Sequence, residues 1–92
     1  MSTNRENAAY SEVADKQLDD LEQGDDQDLY NAALDACELI FQASGLAQQR
    51  STAIQTSEGI RLRLPIAGHP PYKVFWSQSH DGPRVEAVFP HP

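Results

Sequence analysis

Three cationic side chains in the second half of the chain, Arg61, Arg63 and Lys73, alternate with apolar residues. Such alternation is typical of β-strands with one buried and one open face, so we expect all three cations on the open face. Phe75 has the same parity as Lys73 and would lie beside them. A face that combines cations with an exposed aromatic ring suits RNA, because cations neutralise phosphates and rings stack on bases. The alternative is that these charges are only solvated and protect the sheet from aggregation.

The other reactive side chains are less indicative of a site. His69 and His80 lie in segments rich in glycine and proline, which are typical of turns. Cys37 is the single cysteine and has acidic neighbours on an apolar helical stripe, which favours a buried core position over a catalytic thiolate. No spacing of His, Cys, Asp and Glu is typical of a zinc or calcium site, and no glycine-rich phosphate loop occurs. We therefore predict no metal and no cofactor.

Charge is divided unequally between the two halves of this acidic protein. Residues 1–48 carry eleven acidic side chains against two basic ones, a balance of −9, whereas residues 49–92 carry five basic against three acidic, a balance of +2. Because the first half has helical periodicity and the second half strand periodicity, the asymmetry predicts two layers with different surfaces. An anionic partner would then bind the β layer.

The sequence contains no segment that indicates a membrane or an export route. No stretch approaches the ~20 apolar residues that a membrane span requires. The first residues have no hydrophobic run of the kind found in a signal peptide, and a single cysteine cannot form an internal disulfide. We therefore predict a soluble cytoplasmic protein.

The first half has the pattern of two helices. A short strand over residues 7–10 is followed by Ser11, a natural N-cap, and an amphipathic helix over residues 12–23. Asp25 or Asp26 caps the next helix, whose wide apolar face continues through residue 44. Gly45 then occupies the position where a helix commonly stops. These features predict a helical hairpin.

The second half changes to strand periodicity. Turns are predicted at residues 57–59 and 80–83, and a rigid loop at residues 68–71, because glycine, proline and aspartate favour these conformations. The apolar sets predicted to face the helices are Ile60, Leu62 and Leu64, then Tyr72, Val74 and Trp76, then Val85, Ala87 and Phe89. The residues predicted on the open face are Arg61, Arg63, Lys73, Phe75, Glu86 and Val88.

Together these elements predict one α+β domain over residues 1–92, with residues 1–7 disordered. Its architecture is a helical hairpin packed on one face of a three- to four-stranded antiparallel sheet.

The order of elements resembles the RelE/ParE superfamily of bacterial type II toxins. Its most recognisable stretch is a basic-apolar-Pro strand, then Gly, then a strand of the type Tyr-basic-apolar-aromatic-aromatic. This chain has Arg61-Leu62-Arg63-Leu64-Pro65-Ile66-Ala67-Gly68, then Tyr72-Lys73-Val74-Phe75-Trp76, and then Val85-Glu86-Ala87-Val88-Phe89. The resemblance covers nearly the whole chain.

The resemblance implies a toxin neutralised by a cognate antitoxin protein and directed at ribosome-bound mRNA or at gyrase. The ribosome-dependent relatives cut mRNA without a metal. Their catalytic positions correspond to Arg61, Arg63 and the near-terminal His91, with Glu58 as a candidate base beside the first of these strands. Lys73, Phe75 and Arg84 would contact RNA. The alternative is a non-catalytic protein-interaction module on the same fold, which the net charge of −7 favours.

Overall fold

Helices precede strands along the chain, as the change in apolar period predicts. The computed structural model describes residues 9–92, so the disorder predicted for residues 1–7 falls outside it. The helices are α1 (Glu12–Glu22), α2 (Gln27–Gln42) and α3 (Ser44–Arg50); the strands are β1 (Thr52–Thr56), β2 (Gly59–Pro65), β3 (Tyr72–Ser79) and β4 (Gly82–Pro90). The strands form one antiparallel sheet in the order β1-β2-β3-β4, with the helices packed on one face. The predicted α+β class is confirmed.

Helix α1 begins at the predicted cap. The Ser11 Oγ accepts a hydrogen bond from the Ala14 amide at 3.0 Å and donates one to the Glu86 carbonyl. The preceding residue, Tyr10, forms a parallel bridge with Val85 of β4. Of the short strand predicted over residues 7–10, residues 7 and 8 lie outside the described part of the chain. Ser11 therefore ties the start of α1 to the edge of the sheet.

Replacing Ser11 by alanine should lower the free energy of unfolding by about 1–2 kcal/mol, because it removes a helix cap and a bond to β4 together. Urea denaturation would measure the change. Ser57→Ala, in an exposed turn, is the matched control and should change stability by less than about 0.5 kcal/mol. Equal effects of the two substitutions would contradict this role of Ser11.

The predicted end of the second helix is wrong. Helix α2 ends at Gln42, Ala43 leaves the helical region with φ −144° and ψ 63°, and α3 then includes Gly45. The break redirects the chain so that Ala47 is fully buried against the sheet. Burial of α3 overrides the local preference of glycine to stop a helix, which is worth only about 1 kcal/mol.

The core lies between the helices and the inner face of the sheet. Its largest fully buried side chain is Trp76. The Trp76 Nε1 donates to the Ser51 Oγ at 3.1 Å, and that hydroxyl donates to the Ala47 carbonyl at 2.7 Å. The buried residues around it include Leu18, Cys37, Ile40, Ile66, Val74 and Val85. The indole and its polar partner thus join α3 to the centre of the sheet. Cys37 is buried in this core, so its interpretation as a core residue is confirmed.

Two hairpin turns have the same construction at the predicted positions. In the first, the Thr56 Oγ1 accepts from the Glu58 amide and donates to the Gly59 carbonyl; in the second, the Ser79 Oγ makes the same two contacts with Asp81 and Gly82. Both glycines have φ 112°, a conformation that side chains with a Cβ disfavour. A hydroxyl residue followed three positions later by glycine therefore defines both turns.

The prediction of which β4 side chains face the core is partly wrong. The register shifts between Phe75 and Trp76, since Phe75 pairs with Ala87 and Trp76 pairs with Val85. Glu86 is therefore the extra residue of a β-bulge, and the parity of the strand reverses after it. Val88 faces the core, whereas Ala87 and Phe89 turn to the open face.

The inner side of β2 is also less covered than predicted. Ile60 shares the parity of the buried Leu64 but is 60% exposed, because it lies near the hairpin tip beyond the helices.

Candidate functional site

The open face of the sheet, opposite the helices, gathers the charged and aromatic residues predicted as a site, with Glu58 in the turn at its rim. Direct pairing places Arg63 beside Phe75, Pro65 beside Lys73, and Lys73 beside Phe89. The polar and aromatic residues of this open face include Arg61, Arg63, Lys73, Phe75, Ser77, Arg84, Glu86, Phe89 and His91.

An aromatic pair occupies the middle of the open face. The Phe75 and Phe89 rings stack with centroids 4.6 Å apart and an interplanar angle of 3°. The His91 ring contacts both edge-on, at 5.2 Å from Phe75 and 6.0 Å from Phe89. Phe75 is consequently only 7% exposed, whereas Phe89 is half-buried. Of the two rings, Phe89 offers more surface to a ligand.

His91 is held by β3 and by the loop that precedes it. Its amide donates to the Pro71 carbonyl at 2.9 Å, and its own carbonyl accepts a hydrogen bond from the Lys73 Nζ. These contacts hold the imidazole over the aromatic pair although His91 follows the last strand. The carbonyl occupies one of the three donors of Lys73.

Two buried nitrogen atoms on the open face have no hydrogen-bond partner among residues 9–92. They are Nε of Arg63 and Nδ1 of His91, and both residues flank Phe75. An unsatisfied buried polar atom costs about 1–3 kcal/mol. Because both atoms are buried, a ligand would pair with them only after the neighbouring side chains shift. The Arg63 Nε is a hydrogen-bond donor, and the His91 Nδ1 is a donor in the tautomer that carries its hydrogen there.

A groove of about 420 Å³ crosses the open face between the β1–β2 hairpin and the start of α1. Its residues include Val13, Thr56, Glu58, Arg61, Phe75 and Phe89. The Arg61 side chain is 17% exposed and its Nη2 lies 3.2 Å from Oε1 of the exposed Glu58. The groove thus has an apolar floor, and an ion pair at its rim.

A second acidic group, Glu86, lines the same groove as Arg61 and balances another cation of the open face. The Arg84 Nη1 donates to the Glu86 Oε1 at 3.2 Å, and the Ser77 Oγ donates to the Glu86 Oε2 at 2.8 Å. The carboxylate of Glu86 is thus held between two donors. Arg84 consequently has less capacity for an external anion than its charge alone indicates.

The structure brings the predicted site residues onto one face but in three local groups. Glu58 and Arg61 form the ion pair at the rim, Lys73, Phe75 and His91 form the centre with Arg63 beside them, and Arg84 lies with Glu86. The bulge puts Phe89 on the open face, which strand alternation does not predict. Ser11 and Val13 line the groove only because residues 9–11 bridge to β4, which no local pattern indicates.

Comparisons with known proteins add no relative: no family model, no curated protein and no solved structure matches the chain. The structure therefore defines the class of fold, α+β with an open antiparallel sheet. Within residues 9–92, none of the helices has the length and apolar character needed to cross a membrane.

Proposed function

We propose that this chain is a RelE/ParE-like toxin whose open face binds mRNA on the ribosome and cleaves it without a metal. One observation carries the proposal. Arg61 and Arg63 of β2, Lys73 of β3 and His91 after β4 lie on one face around a stacked aromatic pair. The resemblance of the order of elements to that of the RelE/ParE superfamily supports the same function.

The roles follow from the positions of the side chains. Arg63 and Lys73 lie beside the aromatic pair and would neutralise the scissile phosphate, where negative charge develops. Arg61, at the groove rim, would contact an adjacent phosphate. Phe89 would stack on a base, with Phe75 supporting it from below. Arg84, opposite Ser77, would hold the RNA backbone at the β4 side of the face.

Proton transfer needs a base and an acid. Glu58, which lines the groove with Phe75 and Phe89, would leave its ion pair with Arg61 and accept the proton of the ribose 2′-hydroxyl as that oxygen attacks the phosphorus. His91 would donate a proton to the departing 5′-oxygen. The products would be a 2′,3′-cyclic phosphate and a free 5′-hydroxyl.

Induced expression in a bacterial host tests this function. We expect growth arrest and new mRNA ends that depend on translation, read by primer extension with and without a translation initiation inhibitor. A gyrase supercoiling assay tests the alternative target within the same superfamily. Normal growth at high expression, with intact mRNA and active gyrase, would contradict the toxin proposal.

Glu58→Gln distinguishes a catalytic role of the Glu58 carboxylate from its role as the ion-pair partner of Arg61. Loss of the carboxylate frees Arg61, so affinity for single-stranded RNA should rise about two- to fivefold at low salt, while mRNA cleavage should fall. Fluorescence anisotropy with a labelled oligonucleotide would measure the affinity. Asp81→Asn, at the equivalent position of the other hairpin turn, removes the same charge and should leave both quantities unchanged. Unchanged cleavage with Glu58→Gln would remove Glu58 from the mechanism.

A second function, a non-catalytic protein-interaction module, is favoured by a different observation. Arg61 and Arg84 are each paired with a carboxylate of this chain, and the net charge is −7. A protein partner needs fewer free cations than RNA does. In this case an antitoxin-like segment that folds on binding would cover the groove and the open face.

Co-expression with the product of the adjacent reading frame, followed by pull-down, tests the protein partner. The partner should be retained by the wild type and released by Phe89→Asp, which places a charge on the floor of the groove. Gln48→Asp, on the exposed surface of α3, is the control and should retain it. Purification of the wild type without the partner would contradict this function.

A further inference from the structure

The two edges of the sheet differ in how their backbone groups are satisfied. At the β4 edge, the Val85 amide donates to the Ala9 carbonyl at 2.8 Å, and the Val85 carbonyl accepts from the Ser11 amide at 2.9 Å. Farther along, the Val88 amide donates to the Gln17 Oε1 at 2.6 Å. Residues 9–11 and α1 therefore protect this edge from pairing with another chain.

The β1 edge has no such protection within the described part of the chain. β1 pairs with β2 on one side, and no segment of residues 9–92 pairs with its other side. Its sequence, Thr-Ala-Ile-Gln-Thr, has no charge and no proline, and its pairing with β2 has no bulge. These are the usual devices that keep an edge strand from pairing. The outer backbone groups of β1 are therefore a template for one more strand.

The centre and the ends of β1 can pair like with like, while Ala53 lies opposite Gln55. In an antiparallel pair related by a two-fold axis at Ile54, each Ile54 lies opposite the Ile54 of the second copy. Thr52 then lies opposite Thr56, so the outer positions also pair like with like. Cross-strand pairs of threonine and of β-branched apolar residues are favourable, and no like charges meet directly.

The surroundings of β1 leave room for a second copy. On the helix side of the sheet, Ala53, Gln55 and their neighbour Ile60 are exposed, so no helix covers the approach. The nearest cation of β2 is Arg61, opposite Ile54. Across two β1 strands the Arg61 backbones would be three strand spacings apart, about 14 Å, which exceeds the Debye length of about 8 Å.

The strong acidic charge lies elsewhere in the fold. Most acidic residues belong to the first 48 residues, and α1 packs on β4, at the opposite edge from β1. We propose that two copies of the chain associate through β1, which joins their four-stranded sheets into one continuous antiparallel sheet. The open faces of the two copies would then lie on the same side of that sheet. The proposal is independent of the function proposed for the open face.

Sedimentation equilibrium over a series of protein concentrations tests the association. A five-residue strand pair is a small interface, so we expect a dimer with Kd on the order of 10–100 μM. Ile54→Lys places two ammonium groups opposite each other and should weaken the dimer about tenfold or more. Ile54→Thr, which stays neutral and β-branched, is the matched control and should retain it. A wild type that is monomeric at every concentration, or a dimer unaffected by Ile54→Lys, would overturn the proposal.

A cysteine at the symmetry axis tests the register. Ile54→Cys places two thiols directly opposite each other, within the distance that a disulfide requires, so mild oxidation should give a covalent dimer. Asn31→Cys, on the exposed surface of α2, controls for random collision, and the buried Cys37 leaves the wild type without a reactive thiol. Circular dichroism melts confirm that each variant is folded. Cross-linking of Ile54→Cys no faster than that of Asn31→Cys would refute the two-fold pairing.

Discussion

Trp76→Ala should lower the free energy of unfolding by about 3–5 kcal/mol, the largest stability change expected for this chain. Trp76 is fully buried at the centre of β3, and its indole nitrogen donates to Ser51 at the end of α3. The substitution leaves a large cavity and leaves the Ser51 hydroxyl without its donor. Domains of this size are stable by about 5–15 kcal/mol, so the variant should lose a large part of its stability. Urea and thermal denaturation would measure the loss.

Two further variants distinguish the loss of buried apolar volume from the loss of the hydrogen bond to Ser51. Ile60→Ala, at an inner-parity position that is 60% exposed, should cost less than about 1 kcal/mol because little apolar surface is buried there. Ser51→Ala removes the hydrogen bond but keeps the indole, so it should cost about 1–3 kcal/mol. A Trp76→Ala variant no less stable than Ile60→Ala would mean that the core is not centred on this residue.

Arg63→Ala should reduce mRNA cleavage about 100-fold or more and relieve growth arrest, if the proposed ribonuclease activity is present. Arg63 lies directly opposite Phe75, and its buried Nε has no partner within residues 9–92. Arg61 and Arg84 are each paired with a carboxylate, so Arg63 is the arginine of the open face best placed to contact a phosphate. His91→Ala should have a comparable effect through loss of the proton donor. Primer extension on a reporter mRNA and colony counts after induction would measure both effects.

Arg50→Ala is the matched control for this experiment. Arg50 is an arginine of the same chain at the end of α3, where it lines a separate cavity on the helix side of the sheet. Its loss removes one positive charge without touching the open face, so cleavage and growth arrest should persist. Folding of each variant is checked by its thermal melt. Equal loss of activity in Arg50→Ala and Arg63→Ala would show that net charge, and not the open face, governs the effect.

The sequence alone predicted the features that depend on neighbouring residues. The cap at Ser11 follows from a hydroxyl placed before an acidic first turn, and both hairpin turns follow from glycine at a position that needs positive φ. Alternation in β2 and in the first half of β3 also placed Arg61, Arg63 and Lys73 together on the open face. These signals are local, because helix and strand periods and turn conformations are preferences of short segments.

Only the tertiary structure decided how elements that are distant in the sequence contact one another. The bulge at Glu86 arises from the pairing of β4 with β3, and a shift of one residue reverses every side chain after it, which put Phe89 against Phe75. The break at Ala43 depends on the burial of Ala47, which the glycine beyond it does not reveal. The bridge of Tyr10 to β4 joins residues 75 positions apart. Each of these depends on contacts between distant segments. The periodicity of a single strand or helix does not indicate which segment it will contact.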